Sequence, residues 1–335
     1  MLEPKATIVA IAHQLGLSKT TVSDALNGTG RVSPATVARV RDAAEEAGYV
    51  VNRAARALRQ KRAGAVGIHL PAGSRELDFY MQFTFGVSDV VGEADLDLSL
   101  LHRGRGEERG FHLDGALVLD PTPEDPVLAA LLRARVPVVT VGRHRGAGAE
   151  QVAGMIRARH EELQREALAT LPPRGRRRPV FLGIDEGLPA SWALEARAAY
   201  EAWCQEHDVE PWVVEVSPEL RIPELSDLIG SVVSDGADAI VCCAQGYAAQ
   251  SQSILQGLGL EPGRDVDLIS LAGDELHEVR EPRITAVALE PRAYGTASAD
   301  LLLEVMARPQ GSARIRNFDG AHVVPAERSP GEGSC

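Results

Sequence analysis

The chain has 335 residues, 44% of them hydrophobic, and a formal net charge of −12; that length can bury a large core and points to about two domains, or one domain with a small module. No run approaches the roughly 18 apolar residues of a membrane span, and the first residues lack the basic-then-apolar pattern of an export signal, which argues against a membrane span and export, and a cytoplasmic location is expected. Cys204, Cys242, Cys243 and Cys335 show neither CxxC spacing nor histidines at metal-site intervals, so neither a zinc site nor a disulfide framework is indicated and reduced, structural thiols are expected.

The charge is unevenly spread. Residues 1–62 hold ten Lys and Arg against five Asp and Glu, a surplus of +5, so the remainder carries −17. A basic head on an acidic body lets a polyanion approach one end only. Within that head, Ile8, Ile11, Ala12 and Leu15 recur at helical spacing after Thr7, and Gly16 can take the left-handed conformation that ends the helix. Ser18 can cap a second helix whose stripe is Val22, Ala25 and Leu26, which leaves Lys19, Thr20, Ser23 and Asn27 mostly outward. Ala12 and Gly16 are small enough for two helices to cross steeply at a tight turn, the requirement of a helix-turn-helix. A third helix starts at Ser33-Pro34, a cap followed by proline at the first helical position, carries Val37, Val40, Ala44 and Ala47, and stops at Gly48.

The stretch TIVAIAHQLGLSKTTVSDALNGTGRVSPATVARVRDAAEEAGYVVNRAARALR resembles, over almost its whole extent, the N-terminus of the LacI/GalR family of repressors. The resemblance implies a dimer that binds a near-palindromic site on double-stranded DNA. It places Lys19, Thr20, Ser23 and Asp24 at base-reading or phosphate-contacting positions, and Thr7, Ser18, Thr21 and Asn27 at positions that mainly hold phosphates. Many relatives carry Arg where this chain has Asp24. A carboxylate beside phosphates is unfavourable unless it accepts a hydrogen bond, for which cytosine N4 is the suitable base donor; the alternatives are an altered operator, or an Asp24 that faces solvent or its own domain.

Residues 49–64 form a basic, alanine-rich segment too short to be a stable helix alone. The family resemblance makes it a hinge that folds on DNA and levers Leu58 into the minor groove, with Asn52, Arg53, Ala55 and Arg56 around that wedge. Relatives usually have proline before the asparagine, whereas this chain has Val51, which weakens pre-ordering of the hinge.

From Ala65 the apolar runs AVGIHL, LDLSLL, GALVLD, VPVVTVG, PVFLGI, PWVVEV, DAIVCCA and VDLISLA alternate with amphipathic segments at 80–94, 125–134, 192–207 and 246–259. That alternation predicts right-handed βαβ units in two doubly wound parallel sheets, with a break near 172–179. This half resembles the periplasmic-binding-protein-like core of the same family. The expected organisation is an all-α helix-turn-helix domain at 1–48, a hinge at 49–64 and an α/β effector-binding and dimerisation domain at 65–328. Its N-subdomain would span about 65–176 and 291–315, its C-subdomain 177–290 and 316–328, with a tail at 329–335.

Ligands in such folds sit at strand carboxyl ends between the two lobes. The resemblance assigns Phe79 and Tyr80 to an aromatic pair facing the cleft and Arg197 to the anchoring cation, with Ser191 or Trp192 beside it. A guanidinium can hold vicinal hydroxyls or a carboxylate, and an aromatic face can pack on a sugar ring. The departures are at polar positions. Relatives carry Asn-Asp where this chain has Ala244 and Gln245, and a double Asp where it has Ala272 and Gly273 with Asp274 one place on; the expected V-x-x-D near 150–157 is absent. Either Gln245 and Asp274 serve a reshaped pocket, or the sugar response is lost and control comes from another ligand, a protein partner or none.

An enzyme is the competing class. No nucleophile elbow, P-loop or zinc-ligand motif occurs, the glycine-rich stretch at 103–110 does not fit G-x-G-x-x-G, and His160 with Glu161 and Glu162 reads as a polar helix face. No catalytic residue, metal or cofactor is expected.

Overall fold

The computed structural model describes residues 7–27, 30–49, 62–71, 78–101, 110–171, 178–184, 191–217, 220–273, 278–279, 281–308 and 312–327. It divides into two compact units, 1–63 and 64–335. The expected hinge contacts Asn52, Arg53, Ala55, Arg56 and Leu58 lie outside the described residues, as does Asp274.

The first unit is a three-helix head: α1 (Ile8–Leu15), α2 (Lys19–Asn27) and α3 (Pro34–Glu46). The starts of α2 and α3 have the caps read from the sequence, and α1 has a cap that the sequence reading did not name. The Thr7 side chain accepts from the Ala10 N–H, Ser18 Oγ accepts from the Thr21 N–H at 3.0 Å, and Ser33 accepts from the Thr36 N–H ahead of Pro34. Gly16, at φ 64°, reverses the chain between α1 and α2. Ile11, Ala12, Val22, Ala25, Val40, Ala43 and Ala44 close a small core. Ser23 corrects one expectation. It is only 7% exposed, on the inner side of α2 beside Val22, and not on its open face.

The second unit contains two six-stranded sheets. The first has the order β11-β5-β4-β3-β1-β2, all parallel, from β1 (Ala65–His69), β2 (Asp97–Leu101), β3 (Gly115–Leu119), β4 (Val138–Val141), β5 (Gly154–Ala158) and β11 (Arg314–Phe318). The second has the order β12-β10-β9-β8-β6-β7, from β6 (Pro179–Ile184), β7 (Trp212–Val216), β8 (Ala239–Cys242), β9 (Asp267–Gly273), β10 (Ile284–Ala288) and β12 (His322–Val324). Its edge strand β12 pairs antiparallel with β10, so this sheet is mixed and not purely parallel. Strands such as β3, β4, β8 and β10 are buried along their whole length, as strands covered on both faces must be.

The chain passes between the lobes at different places from those expected. Helix α6 (His160–Ala169), after α4 (Asp78–Glu93) and α5 (Pro126–Arg133), packs on β9, β10 and β12 and on α7 (Ser191–Glu206), so the first crossing falls at about 159, not 176. After α8 (Ile222–Ser234) and α9 (Tyr247–Gly257), the chain returns at 289–290 into α10 (Pro291–Ala307), which lies along α4. It leaves again at 319–321, after β11, not at 315. Helices α4 and α10 approach backbone to backbone: a Cβ on Gly86 would stand 2.0 Å from the Arg292 carbonyl oxygen, and one on Gly295 2.1 Å from that of Phe83.

Candidate functional site

Two surfaces carry the functional expectations. On the head, Lys19 and Thr20 stand exposed on the first turn of α2, while Thr7, Ser18 and Thr21 cluster at helix starts. Ser18 and Thr21 share a hydroxyl–hydroxyl bond of 2.8 Å, so these two side chains first fix the end of α2. Free N–H groups at a helix start, with the positive end of the helix dipole, favour a nearby anion. Asp24 is half-buried and turned toward the loop after α2; a Cβ on Gly30 would meet its Oδ2 at 2.7 Å. Asn27 closes α2, and its side chain lies outside the described residues.

In the second unit a cavity of about 260 Å³ opens between the lobes at the carboxyl ends of the strands. Phe79, Tyr80, Ser191, Trp192 and Gln245, expected from the sequence, all line it. Phe79 meets Tyr80 edge-on at 5.3 Å, and behind it Phe83 and Tyr294 pack edge-to-face at 5.5 Å, which holds the aromatic wall rigid. Gln245 is already engaged across the cleft: its Oε1 accepts from the Phe79 N–H at 3.0 Å and its Nε2 donates to the Gly273 carbonyl at 3.3 Å. It therefore ties one lobe to the other.

Arg197 is a correction. It lies 48% exposed on the outer face of α7, pairing with Glu201 at 2.9 Å and Glu215 at 2.7 Å, and does not line the cavity. The cations that do line it are Arg143, Arg145, Arg157 and Arg159, at and beyond the ends of β4 and β5. Sequence reasoning also missed Asp120, one residue past β3, and Glu195 on the inner face of α7. Their signal was position, since each strand-end loop of such a fold faces the cleft. His160, Glu161 and Glu162, read as a polar helix face, line the cavity too, because α6 begins at its rim.

Asp120 is the centre of the polar wall. Its carboxylate accepts from the Tyr80 hydroxyl at 2.9 Å, and Gly142 lets it approach Ser191, since a Cβ there would touch Asp120 Oδ1 at 3.2 Å and Ser191 Oγ at 3.3 Å. The residue keeps part of its surface open to the cavity, yet burial of its carboxyl raises its pKa to about 7 against the pull of the Tyr80 hydrogen bond, with Glu195 adding repulsion. Burial and Asp120 together hold the Tyr80 phenol well above its ordinary range. Burial lowers His160 to about 4, so its ring is neutral at physiological pH. Burial raises Glu195 as well, opposed by Arg145, Arg143 and Arg157. The wall can thus accept or donate hydrogen bonds at Asp120 and present positive charge at the arginines.

Residues 7–52 match the family of bacterial regulatory proteins of lacI type, and residues 168–325 match a periplasmic binding protein-like domain. The chain is 27% identical over 315 residues to the HTH-type transcriptional regulator CelR of Thermobifida fusca, covering 90% of this chain and 92% of that protein. Among solved structures, a complex of the transcriptional regulator CelR with cellobiose superposes with a TM-score of 0.61 at 22% identity, over 95% of this chain and 98% of that one. A lac repressor dimer bound to operator and the anti-inducer ONPF gives 0.76 at 16% identity, over 97% and 100%. No helix among the described residues is long and apolar enough to cross a membrane. A three-helix head with capped helix starts, joined in sequence to two sheets that open a cleft at their strand ends, is the organisation of these regulators, and the chain belongs to the LacI family as a DNA-binding transcriptional regulator.

Proposed function

We propose that this regulator acts as a cytoplasmic homodimeric repressor whose affinity for a near-palindromic operator is set by a polyhydroxylated small molecule in the cleft. The observation that carries this reading is the convergence of Asp120, Tyr80 and Ser191 on one side of a cavity whose other surfaces are Phe79 and Trp192. At about 260 Å³ the cavity falls just below the ~300–1,000 Å³ usual for small-molecule pockets, a size for a small ligand. Aromatic faces pack against the C–H face of a sugar ring, while a carboxyl, a phenol and a hydroxyl read its hydroxyls. Relatives named for sugar regulons, and the CelR–cellobiose complex, support the ligand class.

On the head, Lys19 and Thr20 read base edges, Thr7, Ser18 and Thr21 hold phosphates, and the hinge residues Asn52, Arg53, Ala55, Arg56 and Leu58 engage the minor groove. Ligand closes the lobes, and the Gln245 tie between Phe79 and Gly273 transmits that closure by favouring one lobe arrangement over another.

The test selects operators from a random duplex library with the full-length protein, then measures operator affinity by fluorescence anisotropy with and without a panel of sugars and sugar derivatives. The expected result is a near-palindromic consensus whose affinity shifts with at least one panel member, and loss of that shift in Trp192→Ala. A consensus whose affinity no small molecule moves would overturn the effector and favour control by a protein partner.

A further inference from the structure

The four arginines that line the cleft are not all paired. Glu162 pairs with Arg159 at 3.0 Å and Glu161 with Arg165 at 3.1 Å, so both acids of the α6 start are already engaged. That leaves Arg143, Arg145 and Arg157 with Glu195 and the partly protonated Asp120, and the nearest ion pair of Glu195, with Arg145, is stretched to 4.0 Å. Neither Arg143 nor Arg157 has a carboxylate partner among the described residues. Arg157 is half-buried, and the Asn317 amide oxygen accepts from its Nε at 3.3 Å, which orients the guanidinium and leaves its two terminal nitrogens available. Arg143 and Arg145 are exposed at the rim and Arg157 is half-buried, so an anion entering between them meets several like charges and gains charge-assisted hydrogen bonds.

We propose that the effector carries an anionic group, a carboxylate or a phosphate, held by Arg143 and Arg157 where β4 and β5 end, with its hydroxyls turned to Asp120 and Ser191. This rests on the cleft being the effector site. A planar guanidinium gives two parallel donors to either oxyanion. Asp120 does not oppose such a ligand as a full negative charge would, because its carboxyl holds a proton for part of the time near neutrality.

Isothermal titration of the full-length protein tests this with matched sets. D-glucose, D-galactose and D-ribose are each compared with their uronate or aldonate and with their terminal phosphate ester. The expected result is that an anionic member binds roughly ten- to a hundredfold more tightly than its neutral parent, the effect of charge-assisted hydrogen bonds. The carboxylate and phosphate arms show which oxyanion fits. Arg143→Gln and Arg157→Gln should each erase that preference, while Arg292→Gln, which removes a surface pair with Asp89 on α4, should keep it. Neutral parents binding as tightly as their anions, or an Arg143→Gln/Arg157→Gln double variant that keeps the preference, would overturn the anionic group and leave the cleft as a site. Silence from every member, charged and neutral, would overturn both.

Discussion

Asp120 has a backbone φ of 44°, a left-handed conformation that costs a side-chain-bearing residue of order 1–3 kcal/mol and persists where the surroundings over-determine it. The strain aims its carboxyl at Tyr80 and the cavity. Because the folded-state pKa of about 7 lies above the ordinary value of 3.8, the folded protein holds a proton that the unfolded chain has released between those values. Asp120 therefore contributes most to stability below about pH 4 and loses that contribution as pH rises through about 7. Asp120→Asn, which cannot ionise, should melt close to wild type at pH 4.5 and above it at pH 8, in thermal scans at both pH values. An equal difference at the two pH values would refute the assignment. Arg197 gives a second test, since its exposed pairs contribute little; Arg197→Gln should leave ligand titrations unchanged. Helical geometry in the sequence already contradicted its motif assignment. Trp192 faces inward, and five residues on, at about 100° per residue, Arg197 falls roughly 140° around the helix. Ser23 was misjudged for the opposite reason, since a small hydroxyl leaves no periodic signal and takes the burial of its neighbour Val22.

At the scale of elements, the apolar runs read from the sequence became β1–β4 and β6–β9, with β3 and β8 the least interrupted, whereas β5, β10, β11 and β12 were not read. Strand β5 carries Arg157 and β11 carries Arg314 and Arg316, because an arginine at a strand end lines the cleft and an edge strand can pair its charges outward with Glu304. The same charges that hid these strands help to make the site. Helix α6 was placed in the wrong lobe because a crossing leaves no mark in composition. Packing also set constraints that periodicity did not reveal, above all the Gly86–Gly295 contact between α4 and α10. Gly86→Ala should cost about 1–3 kcal/mol through overpacking. Thr7→Ala should cost about 1 kcal/mol through the lost cap of α1. The two are separable, because all three tryptophans, Trp192, Trp203 and Trp212, lie in the second unit. Urea unfolding followed by tryptophan fluorescence should shift for Gly86→Ala and not for Thr7→Ala, whereas far-ultraviolet circular dichroism should register both. A fluorescence midpoint unmoved by Gly86→Ala would mean that the helices separate at little cost.

For the whole molecule, the opposed charges of the two parts set how binding responds to salt. The first 62 residues carry +5 and the rest −17, so phosphates are drawn to the head while the remainder repels them. Both contributions weaken as salt rises, but unequally. Contacts to phosphate release condensed counterions, and this gives a log–log slope of about −0.9 per phosphate neutralised; repulsion by distant acidic groups is merely screened beyond a Debye length of roughly 10 Å. A dimer engaging six to ten phosphates should lose about 10³- to 10⁵-fold in operator affinity between 50 and 200 mM salt. Non-specific binding is the more exposed of the two, since it has no base contacts to hold it, and should vanish first. Lys19 distinguishes the roles open to the head. If it holds a phosphate, Lys19→Gln lowers affinity evenly for all sequences and flattens the slope by about one unit; if it reads a base, the slope hardly changes and preference relaxes at one operator position. Its exposed place on the first turn of α2, beside the Ser18–Thr21 cap proposed to hold a phosphate, favours base reading. Anisotropy titrations of both proteins at four salt concentrations, on selected and scrambled duplexes, decide between them, and a salt-independent operator affinity would leave the head without an electrostatic role.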